Sequence, residues 1–283
     1  RSRDPEVRRF GVGTTHPFEM FLWSAQEFQE ADLVLPDGAK IHYVRVSDGT
    51  TASDAVFEHV ETATTSATPT AFYRSTMAWD GSGWDVRLKD GTVYVFPDSS
   101  PLQAIRDRYG NTITITRFAG TLGAVKRVTS PHGRWFEFTY AGAVISQIKD
   151  NIGRTWSYTY DSNQRLWKGT DPLNQVTQYT YDAGHRMVTV KNRNGVVFVT
   201  NEYTTAADAP TPVGWVNRQT FADGGTFQFA YTVENGLSTQ TDVTDPRGFV
   251  RRVTFNSSGY TLSETLALGT SVEQVGISTR QTG

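Results

Sequence analysis

Five histidines are the side chains of this chain best suited to metal binding or to acid–base chemistry near neutral pH. They are His16, His42, His59, His132 and His185, and none stands in an H-x-x-x-H or H-E-x-x-H spacing. The chain contains no cysteine, which excludes disulfides, thiolate metal ligands and a cysteine nucleophile. The G-x-S-x-G sequence of a nucleophile elbow is also absent from the sequence. We therefore predict no catalytic residue, no bound metal and no cofactor.

Aspartate, asparagine and glycine recur in short segments that could offer oxygen ligands to Ca²⁺. Their spacing fits neither an EF-hand nor a nonapeptide Ca²⁺ repeat. The favoured interpretation is structural: the side-chain oxygen caps backbone N–H groups of a turn, and Gly or Asn adopts a positive φ there. The predicted turn residues are Asp107, Gly110, Gly133, Asp150, Gly153, Asp171, Asn174, Gly195, Gly224, Asp245 and Gly248.

These turns belong to an internal repeat. In the two clearest copies, DNIG at residues 150–153 precedes RTWSYTYD, and DPLN at residues 171–174 precedes QVTQYTYD. Between the turn positions 91, 110, 133, 153, 174, 195, 224 and 248, the steps are 19, 23, 20, 21, 21, 29 and 24 residues. The longest step contains an insertion, AADAPTPV at residues 206–213. Most copies are therefore close to 21 residues long.

Aromatic residues occupy alternate positions after most of the turns, with polar residues between them. This stripe comprises Phe136, Phe138, Tyr140, Trp156, Tyr158, Tyr160, Tyr179, Tyr181, Phe227, Phe229 and Tyr231. A two-residue period predicts a strand with one apolar and one solvated face. The stripe could stack on sugars or bind a partner polypeptide, but packing between repeats is favoured, because a tyrosine ring buries area while its hydroxyl reaches water or a neighbour.

The elements that must position these residues are β-hairpins. A second apolar strand precedes each turn, for example at residues 144–148 and 186–190. A lone hairpin cannot keep its aromatic face from water, so successive hairpins are expected side by side. The predicted fold class is all-β, a repeat array of antiparallel β-hairpins in one sheet.

Composition and charge narrow the function classes. The net charge of −2 gives no field that favours nucleic acid or an anionic membrane. No apolar run approaches the roughly 18 residues of a spanning helix. The chain begins at Arg1 without a signal peptide or an initiator methionine, so we expect a processed or excised piece. We divide it into an all-β lead-in at residues 1–87, the repeats at 88–262, and a flexible or truncated tail at 263–283.

The segment GRTWSYTYD at residues 153–161 resembles the YD repeat of the Rhs family. Related repeats occur in bacterial toxin complexes, wall-associated proteins and animal teneurins. The resemblance covers about residues 88–262. Residues 32–46 and 83–97 resemble the region that introduces the repeats in bacterial Rhs proteins, which favours the bacterial branch.

This resemblance implies a curved or spiralling β-sheet that forms a hollow shell around a C-terminal toxin. The chain would be one arc of that shell, and its partners would be the remaining shell and the toxin. Many members cut themselves at D-P-x-G motifs that a glycine-rich stretch follows. The sequence DPRG at residues 245–248 has the short motif, but FVRRVTFN follows it, so an ordinary repeat turn is favoured.

The leading hypothesis is a non-catalytic structural segment of a secreted or cell-surface bacterial protein of this type. A first alternative is an adhesion module that presents the aromatic face to glycans or to a surface receptor. A second alternative is part of a self-cleaving aspartic-protease shell.

Overall fold

Strands dominate the chain, as the two-residue period of its apolar residues predicts. The computed structural model describes residues 6–59, 71–120, 123–256 and 261–277. Its strands are β1 Val7–Arg8, β2 Gly11–Val12, β3 Phe21–Trp23, β4 Glu30–Val34, β5 Lys40–Arg45, β6 Val56–His59, β7 Thr76–Trp79, β8 Gly83–Arg87, β9 Val93–Pro97, β10 Ala104–Arg106, β11 Thr112–Arg117, β12 Val125–Thr129, β13 Trp135–Ala141, β14 Val144–Asp150, β15 Thr155–Tyr160, β16 Leu166–Thr170, β17 Val176–Tyr181, β18 Met187–Lys191, β19 Val197–Tyr203, β20 Val216–Phe221, β21 Thr226–Glu234, β22 Leu237–Thr244, β23 Val250–Phe255, β24 Thr261–Leu266 and β25 Gln274–Ile277. One 3₁₀ turn covers Ala206–Asp208. Over these residues, no helix has the length and apolar character needed to cross a membrane.

The chain forms two compact units, unit 1 up to Asn174 and unit 2 from Gln175. In unit 1, β3 to β16 form an antiparallel sheet in which each strand pairs with its neighbour in sequence. Strands β17 to β25 do the same in unit 2. The predicted all-β array of antiparallel hairpins is confirmed.

The domain boundaries expected from the sequence stay a prediction. The division between the units falls inside the predicted repeat region of residues 88–262, and β3 to β9 of the predicted lead-in share the sheet of unit 1 with the first repeats. In the predicted tail, β25 pairs with β24. Residues 278–283 lie outside the described part of the chain.

Most hairpins of the repeat contain a β-bulge near one end. The pairing slips by one residue between Thr139 and Tyr140, and again between Thr159 and Tyr160. Equivalent slips occur in the β11–β12, β17–β18, β19–β20, β21–β22 and β23–β24 pairs. A bulge leaves one residue unpaired and increases the local twist, so each hairpin bends the sheet in the same place.

The hydrophobic core lies in unit 1. Its members come from most strands between β4 and β14 and include Leu33, Tyr43, Phe57, Phe96 and Ile145, all at most 1% exposed. Side chains from one face of a single sheet therefore meet in a common interior.

A segment before β3 lies against that core. Phe10 packs edge-on to Tyr158 with ring centroids 4.9 Å apart. The backbone of the segment is also bonded to the sheet: Ile145 N donates to Arg9 O at 2.8 Å, and Leu102 N donates to Met20 O at 2.9 Å. These contacts join residues that are far apart in sequence.

Unit 2 lacks such an interior. Among its described residues, only Thr204 and Thr265 are buried. Side chains alternate along β21, where Phe227, Phe229 and Tyr231 are half-buried and the residues between them are exposed. Unit 2 is therefore a sheet with one half-covered apolar face and one solvated face.

Candidate functional site

The predicted turn aspartates act as caps. Asp150 Oδ1 accepts from Ile152 N at 3.1 Å and from Arg154 N at 2.9 Å, and Oδ2 accepts from Arg154 Nε at 2.7 Å. Asp107 makes the same two backbone contacts, with Tyr109 N and Asn111 N. One carboxylate thus satisfies backbone donors that a tight turn would otherwise leave unpaired.

The fourth residue of these turns needs the left-handed region. Gly153 has φ +89°, and Asn174 occupies the corresponding position of the next turn at φ +60°. The remaining predicted turn glycines also have positive φ: Gly110, Gly133, Gly195, Gly224 and Gly248. Such values are strained for other L-residues, which explains the recurrence of Gly and Asn.

Two further turns of the same kind join β15 to β16 in unit 1 and β17 to β18 in unit 2. Asp161 Oδ1 accepts from Asn163 N and Arg165 N, and its Oδ2 accepts from Arg165 Nε at 2.7 Å. Asp182 and Arg186 repeat this arrangement, with an Nε–Oδ2 distance of 2.6 Å. Burial opposes ionisation of both carboxyls, but the backbone N–H groups and the arginine outweigh it and hold the pKa of each below its usual value.

The D-P-x-G segment has the geometry of the other turns. Asp245 Oδ1 accepts from Arg247 N at 2.9 Å and Phe249 N at 3.0 Å, and Oδ2 lies 2.7 Å from Arg247 Nη2. The hydrogen bond from Arg247 is the largest influence on the pKa of Asp245, which lies below its usual value. A carboxylate occupied in this way is a poor general acid, and the geometry matches that of a repeat turn.

In unit 1, part of the aromatic stripe belongs to the core and part is exposed to solvent. Phe138 belongs to the buried core, and Tyr140 and Tyr158 pack against it. Phe136 is 46% exposed and contacts Trp156 edge-on at 5.9 Å. Phe138 is therefore packed in the core of unit 1, while Phe136 on the same strand reaches solvent.

In unit 2 the stripe is half-buried throughout. Tyr179, Tyr181, Phe227, Phe229 and Tyr231 all retain partial exposure. Desolvation nevertheless raises the pKa of Tyr179 above its usual value. These residues line one face of unit 2 without forming a closed core.

Four tyrosines reach back to the bulge of the preceding hairpin with a hydrogen bond that repeats along the array. Tyr140 OH donates to Val125 O at 2.9 Å and Tyr160 OH donates to Ile145 O at 2.6 Å. Tyr203 and Tyr231 do the same to Met187 O and Val216 O, both at 2.6 Å. We call Tyr140, Tyr160, Tyr203 and Tyr231 the bulge tyrosines.

Each acceptor of a bulge tyrosine sits immediately before the unpaired residue of a bulge. Ile145, for example, precedes Ser146, which the slip between Thr139 and Tyr140 leaves out of register. The hydroxyl thereby satisfies a carbonyl at an irregular point of the ladder and fixes the bulge to the next strand.

Arg117 occupies the place of a bulge tyrosine in the first repeat. It stands at the slip of the β11–β12 pair, and its Nη2 donates to Leu102 O at 2.6 Å, again 15 residues earlier. Nη2 also donates to Phe18 O at 2.8 Å, and Nη1 donates to Gly123 O. Arg117 therefore joins the segment before β3 to the repeat sheet.

Titratable groups gather around this arginine. Arg9 Nε lies 2.8 Å from Glu19 Oε1, although burial still raises the pKa of Glu19. Burial, with Arg117 and Arg9 nearby, lowers the pKa of His16 to about 4. His16 Nδ1 accepts from Phe18 N at 3.3 Å, so the ring is neutral and helps to shape the segment.

Of the other histidines, two are neighbours: His59 Nδ1 lies 3.0 Å from the backbone oxygen of His42. His42 Nδ1 lies 2.7 Å from Asp32 Oδ1, His59 is buried against Tyr43, and His132 is exposed in a turn. His185 takes the positive-φ position of the Asp182 turn. In the four described ranges, no three His, Asp or Glu side chains come close enough to hold a metal ion.

The sequence analysis did not predict the turns at Asp161 and Asp182 or the role of Arg117. The turns at Asp161 and Asp182 carry a D-x-x-x-R spacing, also present at Asp150, that could have revealed them. The role of Arg117 has a weaker signal: it is a single cation in the register of the tyrosines.

Comparisons with known proteins bear on the repeat directly. Residues 167–197 match the family model described as RHS repeat, which confirms the resemblance predicted from the YD pattern. No curated protein matches the chain.

Solved structures with similar folds are toxin-complex chains. The crystal structure of TcdB2-TccC3 has a TM-score of 0.36 and 12% identity over 89% of this chain and 17% of that chain. A Photorhabdus luminescens Tc holotoxin pore with a TccC3 mutation has a TM-score of 0.38 and 11% identity over 84% of this chain and 14% of that chain. The crystal structure of TcdB2-TccC3-TEV has a TM-score of 0.34 and 10% identity, over 84% of this chain and 15% of that chain. The chain spans less than a fifth of the length of each.

Proposed function

The chain contains an RHS repeat, and from this premise we propose that it is a non-catalytic structural segment of a secreted bacterial Rhs-type shell. Its role is mechanical. Hairpins laid edge to edge form a wall, and the wall encloses a toxin carried by the same protein or assembly. The remaining shell and the toxin are its partners.

The recurrence of the bulge and its tyrosine carries this proposal. A hydroxyl–carbonyl bond of 2.6–2.9 Å joins neighbouring strands at Tyr140, Tyr160, Tyr203 and Tyr231. Each bond links one strand to the next, so stiffness extends along the array without a separate core for every repeat. This is the property that a long wall requires.

The half-buried face of unit 2 supports enclosure. Phe227, Phe229 and Tyr231 lie on one side of β21, and the other side is exposed. Within an enclosed space such a face is shielded from bulk water, whereas on an outer surface it would favour association.

The proposal can be tested with two adjacent cysteines in the complete protein. The 283 residues contain no cysteine, so Phe229→Cys and Ala230→Cys place one thiol on each face of β21 against a clean background. Any cysteine elsewhere in the protein is replaced by serine. Labelling uses a maleimide that carries a large polyethylene glycol, which is too big to enter a closed shell.

We expect Ala230→Cys to react in the folded protein and Phe229→Cys to react only after denaturation. In the isolated chain of 283 residues, both thiols should react, which separates enclosure by the shell from local burial. Equal labelling of the two variants in the folded complete protein would contradict the proposal.

The geometry of Asp245 favours the structural role over self-cleavage. We expect a longer protein that includes this segment to keep its full-length mass after incubation, both with Asp245 and with Asp245→Asn. Time-dependent cleavage that Asp245→Asn abolishes would instead support the self-cleaving alternative.

A further inference from the structure

A cavity of about 360 Å³ opens beside the core of unit 1, away from the repeat turns. Its floor includes Phe57 and Met77, each 1% exposed. Its walls come from the residues after β3 and from the turn after β9. We propose that this cavity binds an organic cation, an alkylammonium or alkylguanidinium group.

Aromatic rings form one part of the wall. Phe28 and Trp84 line the cavity with ring centroids 6.4 Å apart and an interplanar angle of 30°. Phe57 meets Trp84 edge-on at 5.6 Å. Ring faces attract cations through their quadrupole, and Trp does so most strongly. A site of this composition therefore accommodates apolar substituents and a positive charge together.

Carboxylates supply the charge. Glu27, Glu30 and Asp98 line the cavity, and no lysine or arginine is among its lining residues. Glu30 has His42 at 3.7 Å. Within the described ranges, neither Glu27 nor Asp98 has a cationic partner. Three like charges around one opening repel each other, and a bound cation relieves that repulsion.

The wall is held in place by a buried arginine. Phe28 has φ +61°, a strained conformation for an aromatic residue. Arg45, whose side chain is 4% exposed, donates from Nη1 to Phe28 O at 2.9 Å, and Arg45 N donates to Gln29 O at 3.0 Å. The ring of Phe28 is thus fixed beside Trp84 before any ligand arrives, which lowers the ordering cost of binding.

A cation already contacts the rim. Lys40 Nζ lies 4.8 Å from the ring centroid of Trp23, another lining residue, and pairs with Asp32 at 3.0 Å. Trp23 is 49% exposed. A contact between a cation and a ring, of the kind proposed for the ligand, therefore already exists at the rim.

The test is calorimetric titration of the folded chain at low ionic strength with choline and with its uncharged isostere 3,3-dimethylbutan-1-ol. We expect choline to bind at least about tenfold more tightly, because the two differ only in charge. Raising the salt concentration should weaken choline binding. Equal affinity for the two compounds, or tighter binding of a neutral sugar than of choline, would overturn the proposal.

Variants locate the effect. The double variant Glu27→Gln/Asp98→Asn changes two exposed side chains, so folding is retained, and it should weaken choline binding about fivefold or more. Asp48→Asn removes an exposed carboxylate of the same unit outside the cavity and should leave binding unchanged. Choline affinity that survives the double variant refutes the site.

A second arm identifies the source of the cation. Titration with the capped peptide acetyl-Gly-Arg-Gly-amide is compared with that of free agmatine. Tighter binding of the peptide indicates a basic side chain of a partner polypeptide, and tighter binding of agmatine indicates a free small cation. Failure of both, together with failure of choline, overturns the proposal without affecting the proposed wall.

Discussion

Replacing Tyr160 by phenylalanine tests whether the bulge tyrosines stabilise the array. The change removes one hydroxyl and leaves the ring in place. It breaks the 2.6 Å bond to Ile145 O, and Ile145 is fully buried. Loss of one partner from a buried carbonyl costs about 1–2 kcal/mol, because water does not replace it. For a unit of this size, that loss corresponds to a fall in Tm of about 3–6 °C.

The measurement is equilibrium unfolding in urea, followed by tryptophan fluorescence, with the slope m compared between variants. Tyr109→Phe is the matched control, because Tyr109 is 74% exposed and, among the described residues, its hydroxyl is hydrogen-bonded only to the neighbouring Arg108. We expect a fall in the free energy of unfolding for Tyr160→Phe, an unchanged m, and little effect for Tyr109→Phe. Equal effects of the two substitutions would refute a stabilising role for the bulge bond.

Three further predictions concern unit 1. Gly153→Ala forces a side chain to φ +89° and should cost about 1–2 kcal/mol in thermal unfolding, whereas Gly169→Ala, at an ordinary φ, should be nearly neutral. Arg117→Leu should lower the free energy of unfolding by about 3 kcal/mol, more than Tyr160→Phe, because several carbonyls lose a charged donor. Limited proteolysis before residue 20 should also become faster. The pKa of His16 in the folded protein, about 4, lies below the value of about 6.5 in the unfolded chain. The free energy of unfolding should therefore fall as the pH is lowered from about 6.5 to 4, by about 2 kcal/mol at pH 5. His16→Gln should remove this pH-dependent loss when unfolding in urea is measured across the same pH range.

The strands and turns of the repeats could be predicted because their signals are local. Alternating aromatics define strands β13, β15, β17 and β21, and the Asp and Gly spacing defines the turns between hairpins. At position 174 the φ of +60° suits Asn as well as Gly, so the turn can be recognised from the sequence although glycine is absent.

The segment before β3 could not be predicted from local pattern. Its partners include Ile145 and Tyr158, more than 130 residues away, and no periodicity encodes such contacts. Residues 18–28 contain apolar residues at both a helical and a strand spacing, and pairing with β4 makes the short β3 a strand. The extent of stripe burial likewise depends on what faces the sheet, as the contrast between Phe138 and Phe229 demonstrates.

The loop between β19 and β20 has a consequence for how such chains evolve. Thr204 closes its base: Thr204 N donates to Trp215 O at 2.7 Å, and its Oγ1 donates to Pro212 O at 2.6 Å. Directly beyond the loop, Tyr231 still reaches Val216 O. The extra residues of the longest repeat step therefore lie in a loop outside the sheet. Lineages can lengthen or exchange sequence at this point without shifting the register of later hairpins, and a protein engineer could graft a foreign epitope there.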